Sequence, residues 1–330
     1  MLGPMRVLVT GGAGYIGSVV VEELLLAGHE VTAYDDMSRG HRDVVVTPAR
    51  LVEANLLDGD ALGHALGTHR IEGVVHMAAE SLVGESVTMP ARYYRTNVVG
   101  SLGLVDAMLH HGVRWIVFSS SAAVYGAPAR QPIEESAPAA PTNPYGETKL
   151  AFERALGWYG AAYGIRSVAL RYFNAAGATE RNGERHDPET HLIPLALAAA
   201  AGLRDAVTVL GDDYPTPDGT CIRDYVHVSD LARAHVLALE ALAAGRCEGT
   251  FNLGCGGTGS SVREVIEAAR KVTGREIPVR MGSRRPGDPP RLVAATDHAR
   301  RTFGWSPRVT RLDDIIESAW RWQRSRARRT

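Results

Sequence analysis

Short apolar runs alternate with longer amphipathic stretches through the first half of the chain. Arg6 to Thr10 reads as a buried strand, Ile16 to Ala27 as a helix closed by Gly28, and Glu30 to Tyr34 as a second strand. Gly73 to Met77 and Trp115 to Ser119 repeat the strand pattern. Strands bounded by turn residues and separated by helix-length segments predict βαβ units, hence an α/β fold with a doubly wound parallel sheet. From Ala176 the pattern loosens into Gly-, Pro- and Asp-rich loops, with helices over Pro194 to Ala201 and Ser261 to Thr273. The expected division is a first domain over 1–175 and a smaller C-terminal α/β lobe over 176–330. That boundary is soft, because Thr250 to Leu253 and Tyr225 to Val228 have the composition of strands able to rejoin the first sheet. No internal repeat or low-complexity segment interrupts the pattern.

Composition narrows the class. With 330 residues, 45% apolar and 22% charged, the chain has the make-up of a soluble globular enzyme. A formal net charge of −1 calls for neither a nucleic acid nor an anionic membrane as partner. Cys221, Cys247 and Cys255 lack disulfide or metal-ligand spacing, which fits a cytoplasmic location. The apolar run Val7 to Val9 is too short for a signal peptide or a membrane span, and Met1 to Pro4 reads as an extended start. Arg321, Arg324, Arg326, Arg328 and Arg329 read as the solvated end of a last helix, where cations complement the helix dipole, rather than as a nucleic-acid patch.

The first strand runs into Thr10-Gly11-Gly12-Ala13-Gly14-Tyr15-Ile16-Gly17, which opens a helix. Gly11 and Gly12 permit a tight turn, Gly14 lets a pyrophosphate approach the backbone, and Gly17 permits close helix–strand contact. Asp35 ends the second strand where a carboxylate accepts hydrogen bonds from a ribose and repels a 2′-phosphate, so NAD is favoured over NADP. Asp36 is placed to share that role, or to serve as a solvated loop acid. These features make the fold Rossmann-type.

Asn143-Pro144-Tyr145-Gly146-Glu147-Thr148-Lys149 places an N-cap, a first-turn proline, and Tyr145 and Lys149 on one helical face. A phenol needs its pKa lowered to act as a base near neutrality; a nearby ammonium, the helix N-terminus and an oxidised nicotinamide would each do so. Phe118-Ser119-Ser120-Ser121 follows Trp115 to Val117 at a carboxyl end of the sheet, where ligands of such sheets bind. Ser121 is the expected third member, relaying a substrate proton to Tyr145, while Ser119 and Ser120 are expected to satisfy backbone groups.

These residues resemble the extended short-chain dehydrogenase/reductase superfamily and, within it, the UDP-glucose 4-epimerase family. The resemblance runs end to end, through Val83-Gly84-Glu85-Ser86, Leu170 to Asn174, Thr190 to Pro194, and the distinctive run Gly211 to Val228. It implies interconversion of UDP-glucose and UDP-galactose, and possible use of the N-acetylhexosamine pair. The route is oxidation at C4 by a tightly held NAD, rotation of a 4-keto sugar, and return of the hydride. The resemblance puts Tyr15, Ile16, Leu56, Ala78, Ala79 and Phe173 against the cofactor, beside the glycine loop, Asp35 and Asp36. It assigns Arg223 and Arg285 to the diphosphate, Asp288 to a ribose, and Asn174, His191 and Leu192 to the diphosphate and sugar. Asp288 reads equally as a turn-capping residue. It also implies a homodimer formed through helices that include the one bearing Tyr145.

The chain departs from that pattern in places. Asn55 stands where the family has an Asp reading adenine, an amide that can still accept that bond. Glu80 stands where relatives carry a cofactor-side lysine, either weakening NAD retention or pointing to solvent. Leu210 replaces a Phe against uracil, and Leu292 replaces a bulky Tyr bounding the sugar pocket, which leaves room for an N-acetyl group. The rival readings are a nucleotide-sugar dehydratase or decarboxylase and a non-catalytic NAD-binding sensor. The first requires acids after Ser121, where Ala122 and Ala123 stand; the second leaves the complete trio without a purpose. A metal hydrolase is disfavoured, since His110-His111 and Glu184-Arg185-His186 lack ligand spacing.

Overall fold

The computed structural model describes residues 3–285 and 287–327. Met1, Leu2, Pro286 and 328–330 lie outside the described residues, and with them the start of the expected extension and Arg328 and Arg329 of the tail. Six strands fill the first half: β1 (Arg6–Thr10), β2 (Glu30–Asp35), β3 (Arg50–Glu53), β4 (Gly73–His76), β5 (Trp115–Ser121) and β6 (Arg166–Tyr172). The second half adds β7 (Asn174–Ala176), β8 (Val207–Leu210), β9 (Ile222–Arg223), β10 (Tyr225–His227), β11 (Gly249–Leu253), β12 (Ser260–Ser261), β13 (Val279–Gly282) and β14 (Arg291–Leu292).

The central sheet has the order β11-β6-β5-β4-β1-β2-β3 and is parallel at every pairing. Helices α1 (Tyr15–Leu26), α2 (Gly59–Thr68), α3 (Val83–Thr88), α4 (Pro90–Tyr94), α5 (Ser101–His110) and α6 (Pro144–Tyr163) come from the first half. They are followed by α7 (Leu192–Ala200), α8 (Val228–Ala243), α9 (Val262–Thr273), α10 (Asp297–Phe303) and α11 (Leu312–Ala327).

Strand alternation explains why helices cover both faces. Val7 and Val9 of β1 pack with Val20 and Leu24 of α1 and Leu231 and Leu239 of α8. Leu8, between them, packs instead with Leu62 of α2, Met108 of α5 and Phe152 of α6. Each fully buried Leu or Phe contributes about 1.5–3 kcal/mol, and a sheet covered on both sides reads as unbroken apolar runs. A third cluster joins α7, α9 and α11 through Leu197, Ile266, Ile316 and Trp320, and includes Val207 and Val209 of β8.

Some readings of the pattern change and others hold. Ser119 to Ser121 belong to β5 rather than following it, because the parallel ladder with β6 continues to Ser121–Tyr172. β11 rejoins the first sheet as expected, but Tyr225 to His227 pairs with β7 in a separate two-stranded sheet, and Val228 opens α8. β11 and α8 thus complete the layers begun by the first half. Strands β3 and β6 escaped the pattern because arginines at their ends (Arg50, Arg166) obscure short apolar cores. The arginines of the tail do close a helix, with Arg324 and Arg326 in the last turn of α11.

Candidate active site

The strand order reverses at β1, between β4 and β2, and in open parallel sheets the crevice at such a point receives the ligand. Helix α1 begins there with Gly14 as N-cap and no side-chain cap, so its first-turn amides are left to an outside acceptor. Gly11 has φ +68°, and a Cβ on it would lie 2.7 Å from the Ala78 nitrogen. On Gly17 a Cβ would lie 1.9 Å from the Gly11 oxygen, whereas on Gly14 it would approach the Gly11 oxygen alone, at 3.3 Å. Gly11 and Gly17 are therefore packing requirements, and Gly14 faces open space. Ile16 packs against the sheet core, and Tyr15 donates its hydroxyl proton to the Gly177 carbonyl at 2.6 Å.

Asp35 is 8% exposed and accepts the Ala13 and Met37 amides, one on each oxygen and both at 3.0 Å. Burial raises its pKa while those amides oppose the rise. Asp36 is exposed, and it accepts from Asn55 Nδ2 at 2.7 Å and from the amide and hydroxyl of Ser38. The Asn55 oxygen accepts the Leu57 amide at 2.9 Å, so both polar ends of Asn55 already have partners within the chain. Leu56 is buried, and the Ala78 amide donates to Thr10 Oγ1, which sets the carboxyl end of β4, with Ala79 next along the chain, beside the glycine turn. An uncapped helix start, an open Gly14 and a strand-end carboxylate together fit a dinucleotide.

Glu80 does not point to solvent. Its side chain is 12% exposed and bridged by Arg92 at 2.7 Å, which returns a cation to that loop. Asn97, which the sequence pattern does not mark, is 2% exposed and brackets Glu80: its oxygen accepts the Glu80 amide, and its nitrogen donates to the Glu80 carbonyl and to Thr148 Oγ1. It sits in a π-helical turn over Arg95–Gly100, a distortion that occurs often at functional sites. No sequence signal predicts such a turn.

Asn143 caps α6 through the Gly146 amide at 2.9 Å, and Pro144 occupies the first turn, as read from the sequence. A Cβ on Gly146 would lie 2.6 Å from the Ala123 oxygen, so the turn after β5 rests directly on the start of α6. That contact brings Ser121 to Tyr145, and the Ser121 hydroxyl hydrogen-bonds the phenol. Lys149 Nζ lies 5.8 Å from the Tyr145 ring centre and donates to the Ser119 carbonyl at 2.8 Å.

The packing of the chain's own atoms acts against a lowered phenol pKa. Burial raises Tyr145, opposed only by the Ser121 hydrogen bond. Burial also lowers Lys149 to about 7, with Glu153, one turn along α6, pulling it back up. Within the chain itself both groups favour their neutral forms. Glu153 is part of a buried ion pair with Arg171 at 2.5 Å, and Arg171 donates to Tyr125 Oη at 2.9 Å. The i,i+4 spacing of Lys149 and Glu153 is the sequence signal for this coupling. Ser119 and Ser120 satisfy side chains rather than backbone, bonding His235 and Glu153 respectively.

On the substrate side, register brings several expected residues together. Leu292 lies opposite Arg223 where β14 pairs with β9, and Asn174 lies opposite Tyr225 where β7 pairs with β10. The Asn174 amide donates to the Asp224 carbonyl. Phe173 and Leu292 pack with Ala122 and Tyr125. Arg223 and Asp288 form an ion pair, so the proposed diphosphate and ribose ligands begin as partners of each other. Arg285 is exposed, and its carbonyl accepts the Asp288 amide. Leu210 ends β8 next to Gly211, over which Tyr214 and Arg284 stack at 4.2 Å. His191 caps α7 just before Leu192 and lies apart from this group as a wall, with Tyr15, of a cavity of about 390 Å³.

The model for the NAD dependent epimerase/dehydratase family matches residues 7–254. A UDP-glucose 4-epimerase of Corynebacterium glutamicum is 51% identical over 316 residues, 96% of this chain and 95% of the relative. One from Halalkalibacterium halodurans is 50% identical over 322 residues, 97% of this chain and 96% of the relative. The crystal structure of UDP-glucose 4-epimerase from Brucella ovis in complex with NAD superposes with a TM-score of 0.93 at 48% identity, covering 96% of this chain and 97% of that one. The chain belongs to the NAD-dependent epimerase/dehydratase family and, within it, to the UDP-glucose 4-epimerases.

Proposed function

We propose that this chain interconverts UDP-glucose and UDP-galactose, with NAD as a resident and regenerated cofactor. The observation that carries the residue assignment is the convergence of Ser121, Tyr145 and Lys149 at the carboxyl end of β5. When bound, NAD supplies the acceptor and then the donor of hydride at the sugar C4. Ser121 orients the 4-hydroxyl and passes its proton to Tyr145, the base, and Lys149 holds the cofactor ribose and favours the phenolate. Ala122 and Ala123 carry no proton, so elimination and decarboxylation lack the acids they need. Gly11, Gly14, Tyr15, Ile16 and Gly17 hold the pyrophosphate at α1, and Asp35, Asp36, Asn55 and Leu56 hold the adenosine end. Ala78, Ala79 and Phe173 flank the nicotinamide end.

Arg223 and Arg285 take the diphosphate, with Asn174 and Leu192 beside it, while His191 stands apart on the wall of the neighbouring cavity. Asp288 leaves Arg223 for the uridine ribose, Leu210 lies against uracil, and Leu292 bounds a pocket with room for an N-acetyl group. The nucleotide-binding part spans 1–175 with β11 and α8 returned to it, and the rest of 176–330 binds the nucleotide sugar.

Incubation of purified protein with UDP-galactose and no added NAD, followed by proton NMR, tests the reading. Conversion in the wild type and its loss in Tyr145→Phe support it; equal turnover in the variant sinks it. UDP-N-acetylgalactosamine in the same assay, with Leu292→Tyr as the blocking variant, tests the pocket.

A homodimer fits the apolar side chains left exposed near α6: Tyr94 at 45%, Val99 at 58%, Trp158 at 77% and Tyr163 at 59%. Sedimentation of Trp158→Arg as a monomer beside a dimeric wild type supports that arrangement, and an unchanged state overturns it. Three unpaired cysteines support a cytoplasmic location. Among the described residues, no helix is long and apolar enough to cross a membrane.

A further inference from the structure

The stretch between β7 and α7, residues 177–191, has no helix or strand, yet it carries the same local device twice. In Glu184-Arg185-His186, Glu184 Oε1 accepts the amides of Arg185 and His186 and meets His186 Nδ1. In Glu189-Thr190-His191, Glu189 Oε1 accepts the amides of Thr190 and His191 and meets His191 Nδ1 at 2.8 Å. Sequence spacing gave no reason to join these segments. The fold closes the loop so that Glu184, His186 and His191 each offer a donor atom within 4.8 Å of the other two. The imidazole rings lie 5.4 Å apart, and His191 Nδ1 stands 3.7 Å from Glu184 Oε2.

We propose that Glu184, His186 and His191 form a binding site for a divalent transition-metal ion of the zinc class, which pins this loop to the start of α7. Two imidazoles and one carboxylate with an open position are a ligand set that such ions take, whereas magnesium prefers oxygen ligands and its own waters. Glu189 plays the outer-shell part: its contact with His191 Nδ1 at 2.8 Å holds that ring beside Glu184. Two carboxylates give the cluster the charge to match a dication. Arg185, between Glu184 and His186 in sequence, pairs with Asp43 at 2.8 Å, and Arg326 lines the same cavity. The three ligands line one cavity with Tyr15, Gly177 and Trp322, which has room for water or a small anion as the remaining ligand.

The test is calorimetric titration of chelator-treated protein with zinc sulfate, with magnesium sulfate as control, followed by thermal melts. One zinc bound per chain at micromolar or tighter affinity, a raised melting temperature and no magnesium response are expected. Glu184→Gln and His186→Ala should each weaken zinc on the order of 100-fold or more. Absence of zinc binding, or undiminished binding in both variants, overturns the proposal. X-ray absorption on the wild-type zinc form decides the matter if a variant fails to fold. A shell of nitrogen and oxygen alone supports the site, and a sulfur shell assigns the ion to the cysteines instead and refutes it.

Discussion

The chain has two lysines, Lys149 and Lys271, which makes the charge state of the one beside Tyr145 directly measurable. Lys149 is 4% exposed, its ammonium meets a single carbonyl, and Phe118 and Tyr145 fill the space around it. Its pKa falls from 10.5 to about 7, which corresponds to about 5 kcal/mol against the charged form. The midpoint is read by growing the protein with lysine labelled at the ε-carbon, removing the nucleotide, and following two carbon-13 signals against pH. Lys149→Met assigns them, since Lys271 lies on the surface against Asp313.

The linkage has a definite sign. Between pH 7 and 10.5 the unfolded chain binds the proton that folded Lys149 has lost, so stability rises with pH across that window, and below 7 the whole penalty persists. The stability of the wild type relative to Lys149→Met should therefore rise by about 1.4 kcal/mol per pH unit from 7.5 to 10. A Lys149 midpoint above 9, or a flat difference, would refute the claim that burial dominates this site.

Three further outcomes follow from the geometry. Arg171→Met leaves Glu153 buried and unpaired and should cost about 3–5 kcal/mol in urea unfolding, while pairing it with Glu153→Met should recover most of the loss. A single variant at wild-type stability would contradict this. Gly17→Ala drives a methyl into the Gly11 carbonyl; a loss of about 1–3 kcal/mol and release of NAD on gel filtration are expected, and retained cofactor counts against the turn geometry. Asn55→Asp sets two carboxylates against each other and should weaken NAD about fivefold at low salt, less at high salt. Adding Asp36→Asn restores one donor and one acceptor, so the double variant should bind as the wild type does.

Much of the fold was legible because its signals are local. An apolar run bounded by glycine must be buried wherever it lies, so β1, β2, β4 and β5 could be read without knowing their neighbours. The cap at Asn143 and the i,i+4 face of Tyr145 and Lys149 depend on helix geometry alone. The glycine turn could be read because backbone crowding, rather than any distant partner, demands those glycines. The return of β11 and α8 to the first layer depended on which apolar faces still lacked a cover. The pairings Asp36–Asn55, Glu80–Arg92, Glu153–Arg171 and Arg223–Asp288 join residues whose separation in sequence carries no rule. The same is true of the meeting of Glu184 with His191. By itself the sequence determined which groups are present and which helix faces they share, the phenol of Tyr145 and the amine of Lys149 among them. Only the tertiary structure decided how those groups are charged, because the free energy of a buried proton depends on every atom packed around it. In this chain that packing favours a neutral Tyr145 and lowers Lys149 to about 7.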